Sequence, residues 1–214
     1  MDNSIVLLNF LIIVNYAAVT KPMDSVSDIL SAEGYRNEVH SVTTFDKYIL
    51  KLHRIPSDSI SSKVVVILHG LGASSYAFVI TGPGIPRKNS ITFKLANHGC
   101  DVWLINVRGT DYSHHQHLLP TSSKYWQFSL DEIVKYDLPA IIDYVLMKTN
   151  QTFVHFVGHS QGTTVVMAML SLFPRYNKKL KTLHLMAPSV YFTNAAPLLK
   201  TGVMFSEPLE VKKW

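Results

Sequence analysis

Short apolar, largely β-branched runs alternate along this chain with segments of helical periodicity, and this alternation constrains the fold most. Continuous apolar runs of this length are typical of strands buried on both faces of a parallel sheet. The runs are SKVVVILHG (62–70), CDVWLINV (100–107), TFVHFVG (152–158) and LKTLHLMA (180–187). The helical segments between them are NSITFKLANHG (89–99), SLDEIVKYDLPAIIDYVLMKT (129–149) and QGTTVVMAMLSLF (161–173). The order predicts an α/β fold, mostly parallel, with right-handed crossovers and flanking helices.

The region before the first buried run has a different pattern. A short helix is predicted near residues 23–34, with Gly34 as its C-terminal stop. Two alternating strands, about 38–44 and 48–54, flank Phe45-Asp46-Lys47 and predict a hairpin. In the long segment 129–149, Ser129 and Glu132 form a capping box, and Pro139 is expected to kink or break the helix near Tyr136.

The N-terminus reads as a targeting segment. Residues 4–19 are almost wholly apolar, and the small residues Ala17 and Ala18 close the run. This pattern predicts a signal peptide over residues 1–19 and a secreted or lysosomal protein, with an uncleaved signal anchor that tethers it to a membrane as the alternative. The sequon that begins at Asn150 is consistent with a secreted glycoprotein.

Composition excludes several classes of protein. Hydrophobic residues make up 47% of the chain, which is too many for a disordered protein. The net charge of +5 is neither strong nor interleaved with aromatic residues, so no nucleic-acid partner is expected. Cys100 is the only cysteine, so the chain forms no internal disulfide, and a buried, inert thiol is predicted. The chain shows no second-domain boundary.

The segment Gly158-His159-Ser160-Gln161-Gly162 carries the strongest functional signal. It fits the G-x-S-x-G pattern and lies where a predicted buried strand ends and a helix begins, which is the context of a nucleophile elbow. Such a turn holds the serine in a strained backbone conformation above the carboxyl end of the sheet. The elbow glycines Gly158 and Gly162 let neighbouring segments approach. Ser160 is therefore predicted to be a catalytic nucleophile.

A serine nucleophile needs donors that stabilise the oxyanion. The loop His69-Gly70-Leu71-Gly72 follows the strand 62–68, where such folds place one of these donors. We predict that the backbone N–H groups of Leu71 and Gln161 form the oxyanion hole.

Several long motifs, in order, resemble the acid lipases, the family of gastric and lysosomal acid lipases and their insect relatives. They are EGYRNEVHSVTTFDKYILKLHRIP, HGLGASSYAFV, LANHGCDVWLINVRGTDYS, YWQFSLDEIVKYDLPAIIDYV and FVGHSQGTT, and the similarity covers about residues 24–190. The resemblance implies an α/β-hydrolase fold and hydrolysis of neutral lipid esters such as triacylglycerol or cholesteryl ester at a lipid–water interface. It carries Ser160 over as nucleophile, with Leu71 and Gln161 as oxyanion donors.

The other triad members are not found. In α/β-hydrolases the acid and the histidine follow the serine, but no Asp follows Ser160 and the only later histidine is His184. His184 lies in an apolar run and is expected to be a packed core residue. The resemblance implies relatives about twice as long, so the chain is expected to be the N-terminal part of a lipase, with residues 191–214 as the start of the cap. Two alternatives stay open: an inactive lipid-binding protein and a non-functional truncated product.

Other polar and aromatic residues are assigned structural roles. His114, His115 and His117 suggest zinc, but a solvated polar loop is the preferred reading because no fourth ligand is evident. Arg108 is expected to pair with a carboxylate, and Trp126 and Phe128 to anchor the core. No cofactor, no metal and no stable protein partner are expected.

Overall fold

The computed structural model describes residues 25–59 and 62–189. The signal peptide expected over 1–19 and the cap segment expected over 191–214 lie outside these residues. Within the described ranges, no helix is long and apolar enough to cross a membrane.

The described residues form a seven-stranded mixed sheet at the centre of the fold. Its order is β1-β2-β4-β3-β6-β7, with β5 paired to β2. The hairpin β1–β2 and the β2–β4 pair are antiparallel, whereas β4, β3, β6 and β7 run parallel. The strands are β1 (Glu38–Thr43), β2 (Tyr48–Ile55), β3 (Val64–Leu68), β4 (Asp101–Ile105), β5 (Ser113–His115), β6 (Val154–His159) and β7 (Leu180–Met186).

Helices cover both faces of the sheet. They are α1 (Val26–Ala32), α2 (Ile91–Asn97), α3 (Leu138–Thr149) and α4 (Gln161–Leu172). Alternate residues of each strand supply two separate apolar clusters, as the two-residue period of a strand requires. Val65, Ile67 and Val157 pack with α1 and α2, and Val66, Trp103 and Phe156 pack with α3 and α4.

The predicted elements agree with the observed ones to within about two residues at most ends. Gly34 and Gly99 take positive φ angles of 85° and 77° just after α1 and α2, so both act as helix stops as predicted. The capping box of Ser129 and Glu132 is present at the helical turn Leu130–Glu132.

The long helix continues past Tyr136 without breaking. A π-helical segment, Ile133–Asp137, joins the turn Leu130–Glu132 to α3. Pro139 lacks an N–H group, and the wider π turn just before it accommodates the missing hydrogen bond while the helix continues.

Arg108, in the loop after β4, ties three parts of the fold together. Its side chain is almost fully buried and pairs with Asp137 of the π-helical segment and Asp46 of the hairpin turn, each at 2.6 Å. Its guanidinium also lies over the Tyr48 ring, 4.1 Å from the centroid. This is the carboxylate pairing that was predicted, with two carboxylates rather than one.

Three expectations about burial were wrong. Trp126 is half exposed, whereas Phe128 is partly buried and packs against the core, and their neighbour Tyr125 is the fully buried residue of that segment. His184 is exposed on β7. Cys100 is partly rather than fully buried, although burial still raises the pKa of its thiol.

Candidate active site

Ser160 lies in the turn between β6 and α4 and has an unusual backbone conformation. Its φ and ψ angles are 50° and −119°, a region that costs a non-glycine residue roughly 1–3 kcal/mol. Hydrogen bonds hold it there: Ser160 N donates to Met186 O (2.9 Å), and Ser160 O accepts from the Thr163 N–H (2.9 Å) and hydroxyl (2.6 Å). The strained turn expected for a nucleophile elbow is present.

The two elbow glycines permit close packing of α4 against the sheet. A Cβ on Gly162 would lie 2.8 Å from the carbonyl oxygens of both Leu68 and His69. A Cβ on Gly158 would lie 3.1 Å from the backbone of Gly162 and Thr163. Since real Cβ atoms essentially never approach backbone oxygens to 2.8 Å, any side chain at position 162 would displace the helix from β3.

The loop after β3 lies directly beside Ser160. A Cβ on Gly70 would be 3.0 Å from the Ser160 Cβ. Gly72 takes a φ of 67°, which glycine adopts without strain. Among the described residues, neither the N–H groups of Leu71 and Gln161 nor the Ser160 hydroxyl has a hydrogen-bonding partner. The nucleophile and its two expected donors are therefore left unengaged at one end of the sheet.

His69 supports this loop rather than acting as a base. It is 4% exposed, and its Nδ1 donates to the carbonyl of Gly70 at 2.8 Å. Its Nε2 is buried without a partner among the described residues, and burial lowers the pKa of the ring, which keeps it neutral.

A buried polar network fixes the far end of the loop, and sequence reasoning missed it. Asn106, after β4, accepts from Ser75 N (2.8 Å) and donates to the Ser75 hydroxyl (3.0 Å) and the Lys51 carbonyl (2.9 Å). The Ser75 hydroxyl also lies 3.2 Å from His53 Nδ1. The only signal available in the sequence was the position of two polar residues, His53 in the predicted strand 48–54 and Asn106 in the apolar run LINV.

Among the described residues, no histidine is hydrogen-bonded to the Ser160 hydroxyl. His184 is opposite Val157 in the sheet, inside the strand rather than at its carboxyl end, and its Nε2 lies 3.2 Å from the Thr182 hydroxyl. His159 is exposed, with its Nδ1 3.3 Å from the Cβ position of Gly70.

In the histidine cluster that suggested zinc, His115 forms hydrogen bonds with the neighbouring backbone instead of binding a metal. The His115 Nε2 donates to Asp46 O, and its Nδ1 accepts from the N–H groups of His117 and Leu118. Both ring nitrogens are thus in use. In the part of the chain that the structure describes, no group of three His, Cys, Asp or Glu side chains has the arrangement of a metal site.

Comparisons with known proteins agree with this geometry. Residues 63–205 match the family described as alpha/beta hydrolase fold, and residues 26–82 match a partial alpha/beta-hydrolase lipase region. The chain is 45% identical to Lipase 1 of Drosophila melanogaster over 168 residues, which are 78% of this chain and 37% of that protein. It is 41% identical to gastric triacylglycerol lipase of Homo sapiens over 171 residues, 77% of this chain and 42% of that one. The resemblance to acid lipases is confirmed.

Solved structures show the same fold at low sequence identity. The esterase Pf2001 of Pyrococcus furiosus superposes with a TM-score of 0.56 at 20% identity, covering 76% of this chain and 54% of the esterase. An epoxide hydrolase mutant of Vigna radiata gives a TM-score of 0.52 at 17% identity, covering 80% and 45%. The expected fold is thereby confirmed. The chain spans less than half the length of the curated relatives named above.

Proposed function

Because the chain belongs to the alpha/beta hydrolase fold family, we propose that it forms part of a serine carboxylic ester hydrolase, a lipase, with Ser160 as nucleophile. The observation that carries this proposal is the backbone of Ser160, held at a φ of 50° beside an exposed loop with unengaged N–H groups. A simple strand-to-helix turn needs no such strain, which persists only where surrounding structure imposes it.

The proposed chemistry is acyl transfer. The Ser160 oxygen attacks the ester carbonyl carbon and loses its proton to a base, and the carbonyl oxygen becomes an oxyanion between the N–H groups of Leu71 and Gln161. The C–O bond to the alcohol then breaks, and the alcohol leaves with a proton. Water cleaves the resulting acyl-enzyme by the same steps. Each oxyanion donor contributes on the order of 10²- to 10³-fold in rate.

The base and its acidic partner are assigned to the whole protein rather than to these 214 residues. No Asp follows Ser160 in this chain, and His184 lies within β7, opposite Val157, rather than at the carboxyl end of the strand. We therefore expect the chain alone to be a weak catalyst, because removing triad members leaves only residual activity.

We assign neutral lipid esters as substrates, with triacylglycerol or cholesteryl ester as the representative compounds. One relative is named gastric triacylglycerol lipase, and the side chain of Leu71, beside the proposed oxyanion hole, is 73% exposed and apolar.

Secretion or lysosomal delivery, and a glycan on the exposed Asn150, complete the proposal. Loss of an endoglycosidase-sensitive mass on Thr152→Ala, expressed in a glycosylating host, would test the glycan without altering Asn150 itself.

The nucleophile can be tested in the chain as it stands. We expect a fluorophosphonate probe to label Ser160 slowly, and added imidazole to accelerate labelling by supplying the missing base. Ser160→Ala should abolish the label, and Ser41→Ala, at an exposed position on β1, should leave it unchanged. Labelling of another serine, or p-nitrophenyl ester turnover that survives Ser160→Ala, would overturn the assignment.

A further inference from the structure

The residues Phe45, Leu119, Trp126, Phe128 and Tyr136 form a surface that the catalytic proposal does not use; we refer to it as the ring surface. Phe45, Leu119 and Trp126 are 86%, 70% and 50% exposed. Single exposed apolar residues are common on soluble proteins and need no explanation, whereas a connected group marks an interaction site. These residues therefore indicate an interaction site only if they contact one another.

Ring contacts connect them. Phe45 stacks on Tyr136 with centroids 6.2 Å apart, and Trp126 lies 6.2 Å from Phe128. The Arg108 guanidinium joins the two pairs, at 5.9 Å from the Tyr136 ring and 5.8 Å from the Phe128 ring. The indole N–H of Trp126 donates to Pro120 O at 2.8 Å, and Leu119 precedes Pro120 in the chain.

The ring surface is rigidly held from below. Arg108, under the rings, is only 1% exposed and is fixed by its bonds to Asp46 and Asp137. Trp126 is further packed against the buried Tyr125, with ring centroids 5.0 Å apart. Preorganised rings lose little freedom on binding, so most of the favourable free energy of burying them is retained.

The ring surface lies at the same edge of the sheet as Ser160. Strands β3, β4 and β6 end in register, since Leu68 is opposite both Ile105 and Gly158. Arg108 follows the end of β4 by three residues. The hairpin turn that carries Phe45 lies at this edge because β2 runs antiparallel to β4. Strands β4 and β3 separate β2 from β6, so the lateral offset between the hairpin and Ser160 is three strand spacings, about 14 Å.

The charges around the rings indicate the kind of partner. Lys47 and Lys124, both exposed, are next to the ring-bearing segments and have no ion pair among the described residues. The nearby carboxylates are already paired: Asp46 forms an ion pair with Arg108, and Asp131 with Lys135. Exposed apolar side chains flanked by lysines without ion pairs suit a lipid layer, which is apolar inside and carries phosphate head groups at its surface.

We propose that the ring surface docks on the lipid–water interface of particles of neutral lipid ester coated with phospholipid. Phe45, Leu119 and Trp126 insert into the apolar layer, while Lys47 and Lys124 meet phosphate groups. Docking turns the carboxyl edge of the sheet, and Ser160 with it, towards the lipid. The proposal deepens the proposed function and rests on it for the identity of the lipid.

Co-flotation of the full chain with trioleoylglycerol particles coated with phosphatidylcholine and phosphatidylglycerol tests the proposal. Phe45→Ser/Trp126→Ser should weaken partitioning at least about tenfold, because two large exposed side chains are removed from the apolar layer. The matched control is Val39→Ser/Met147→Ser, which removes two side chains that are 52% and 66% exposed at the opposite edge. It should change partitioning less than about twofold. Circular dichroism and thermal melts must show that all variants are folded.

Two further arms separate the possible outcomes. Lys47→Ala/Lys124→Ala should weaken binding to particles that contain phosphatidylglycerol more than to particles coated with phosphatidylcholine alone. Ser160→Ala should bind like the parent chain, so loss of probe labelling and loss of docking are distinguishable. Absence of particle binding, equal losses in both double variants, or a ring-dependent dimer in sedimentation without lipid binding would each overturn the proposal.

Discussion

Gly70 and Ser160 face each other so closely that a methyl group at position 70 would lie 3.0 Å from the Ser160 Cβ. The contact joins the loop after β3 to the turn after β6, which are the two segments that supply the proposed oxyanion donors. The absence of a side chain at Gly70 therefore sets the spacing between nucleophile and donors.

Gly70→Ala is expected to slow fluorophosphonate labelling of Ser160 by about 10- to 100-fold, since an oxyanion donor must lie within hydrogen-bonding distance of the reacting oxygen. Gly82→Ala is the matched control, because its Cβ would meet only the Ile85 Cδ1 at 3.8 Å. Both variants should melt within a few degrees of the parent. Unchanged labelling in Gly70→Ala would show that the loop does not set the geometry.

Gly162→Ala tests the packing of α4. Alanine is the better helix former by about 1 kcal/mol, which alone would stabilise the protein. A Cβ at 2.8 Å from two carbonyl oxygens opposes this gain, and overpacking of this kind costs about 1–3 kcal/mol. We expect a net loss of unfolding free energy in urea, together with slower labelling of Ser160. A net gain in stability would mean that the helix moves freely away from β3.

The features that the sequence predicted are those encoded locally. The apolar runs, the capping box of Ser129 and Glu132, and the elbow around Ser160 each lie within a few neighbouring residues, so their signals survive without knowledge of the fold. The network of His53, Ser75 and Asn106 joins residues separated by 22 and 31 positions, and no local pattern reports such contacts.

The wrong predictions of burial also arise because burial depends on contacts that no local sequence pattern encodes. Composition marks Trp126 as a core residue, but the 3₁₀ helix Ser123–Trp126 turns Tyr125 inwards instead. Here Tyr125 also accepts, through its backbone carbonyl, a hydrogen bond from the Tyr48 hydroxyl. The apolar run around His184 predicted a buried strand, yet its burial depends on what lies beside β7, which no local pattern encodes.

His53 should make stability depend on pH. Burial lowers the pKa of His53 from 6.5 to about 4. The unfolded chain therefore binds a proton that the folded chain resists, so stability is present above pH 6.5 and is lost as pH falls towards 4. The full shift corresponds to about 3 kcal/mol.

The matched variant for this prediction is His53→Gln, which can still bond to the Ser75 hydroxyl but does not titrate. Urea unfolding of the parent chain and the variant at several pH values between about 4 and 7 gives the difference in slope. We expect the variant to be less stable than the parent near pH 7 and to lose less stability on acidification. Parallel pH curves would contradict the assignment of the titrating group to His53.

Arg108 should contribute strongly to stability because it is the only cation hydrogen-bonded to Asp137 among the described residues. Burial raises the pKa of Asp137, and the hydrogen bonds from Arg108 oppose that rise. Arg108→Met leaves a carboxyl group that is fully buried without its partner, and breaking such a pair costs about 3–5 kcal/mol. It also removes the support beneath Phe128 and Tyr136.

The double variant Arg108→Met/Asp137→Leu separates the contribution of the Arg108–Asp137 ion pair from that of the other contacts of Arg108. Replacing a whole buried pair with apolar groups is often close to neutral, so the double variant should recover much of the stability that Arg108→Met loses. Asp46 remains in both variants, and it is 28% exposed and able to reach water. Unfolding free energies of the parent, both single variants and the double variant complete a thermodynamic cycle. If the double variant were as unstable as Arg108→Met, the contacts of Arg108 with Asp46 and the rings, rather than the pair with Asp137, would dominate its contribution.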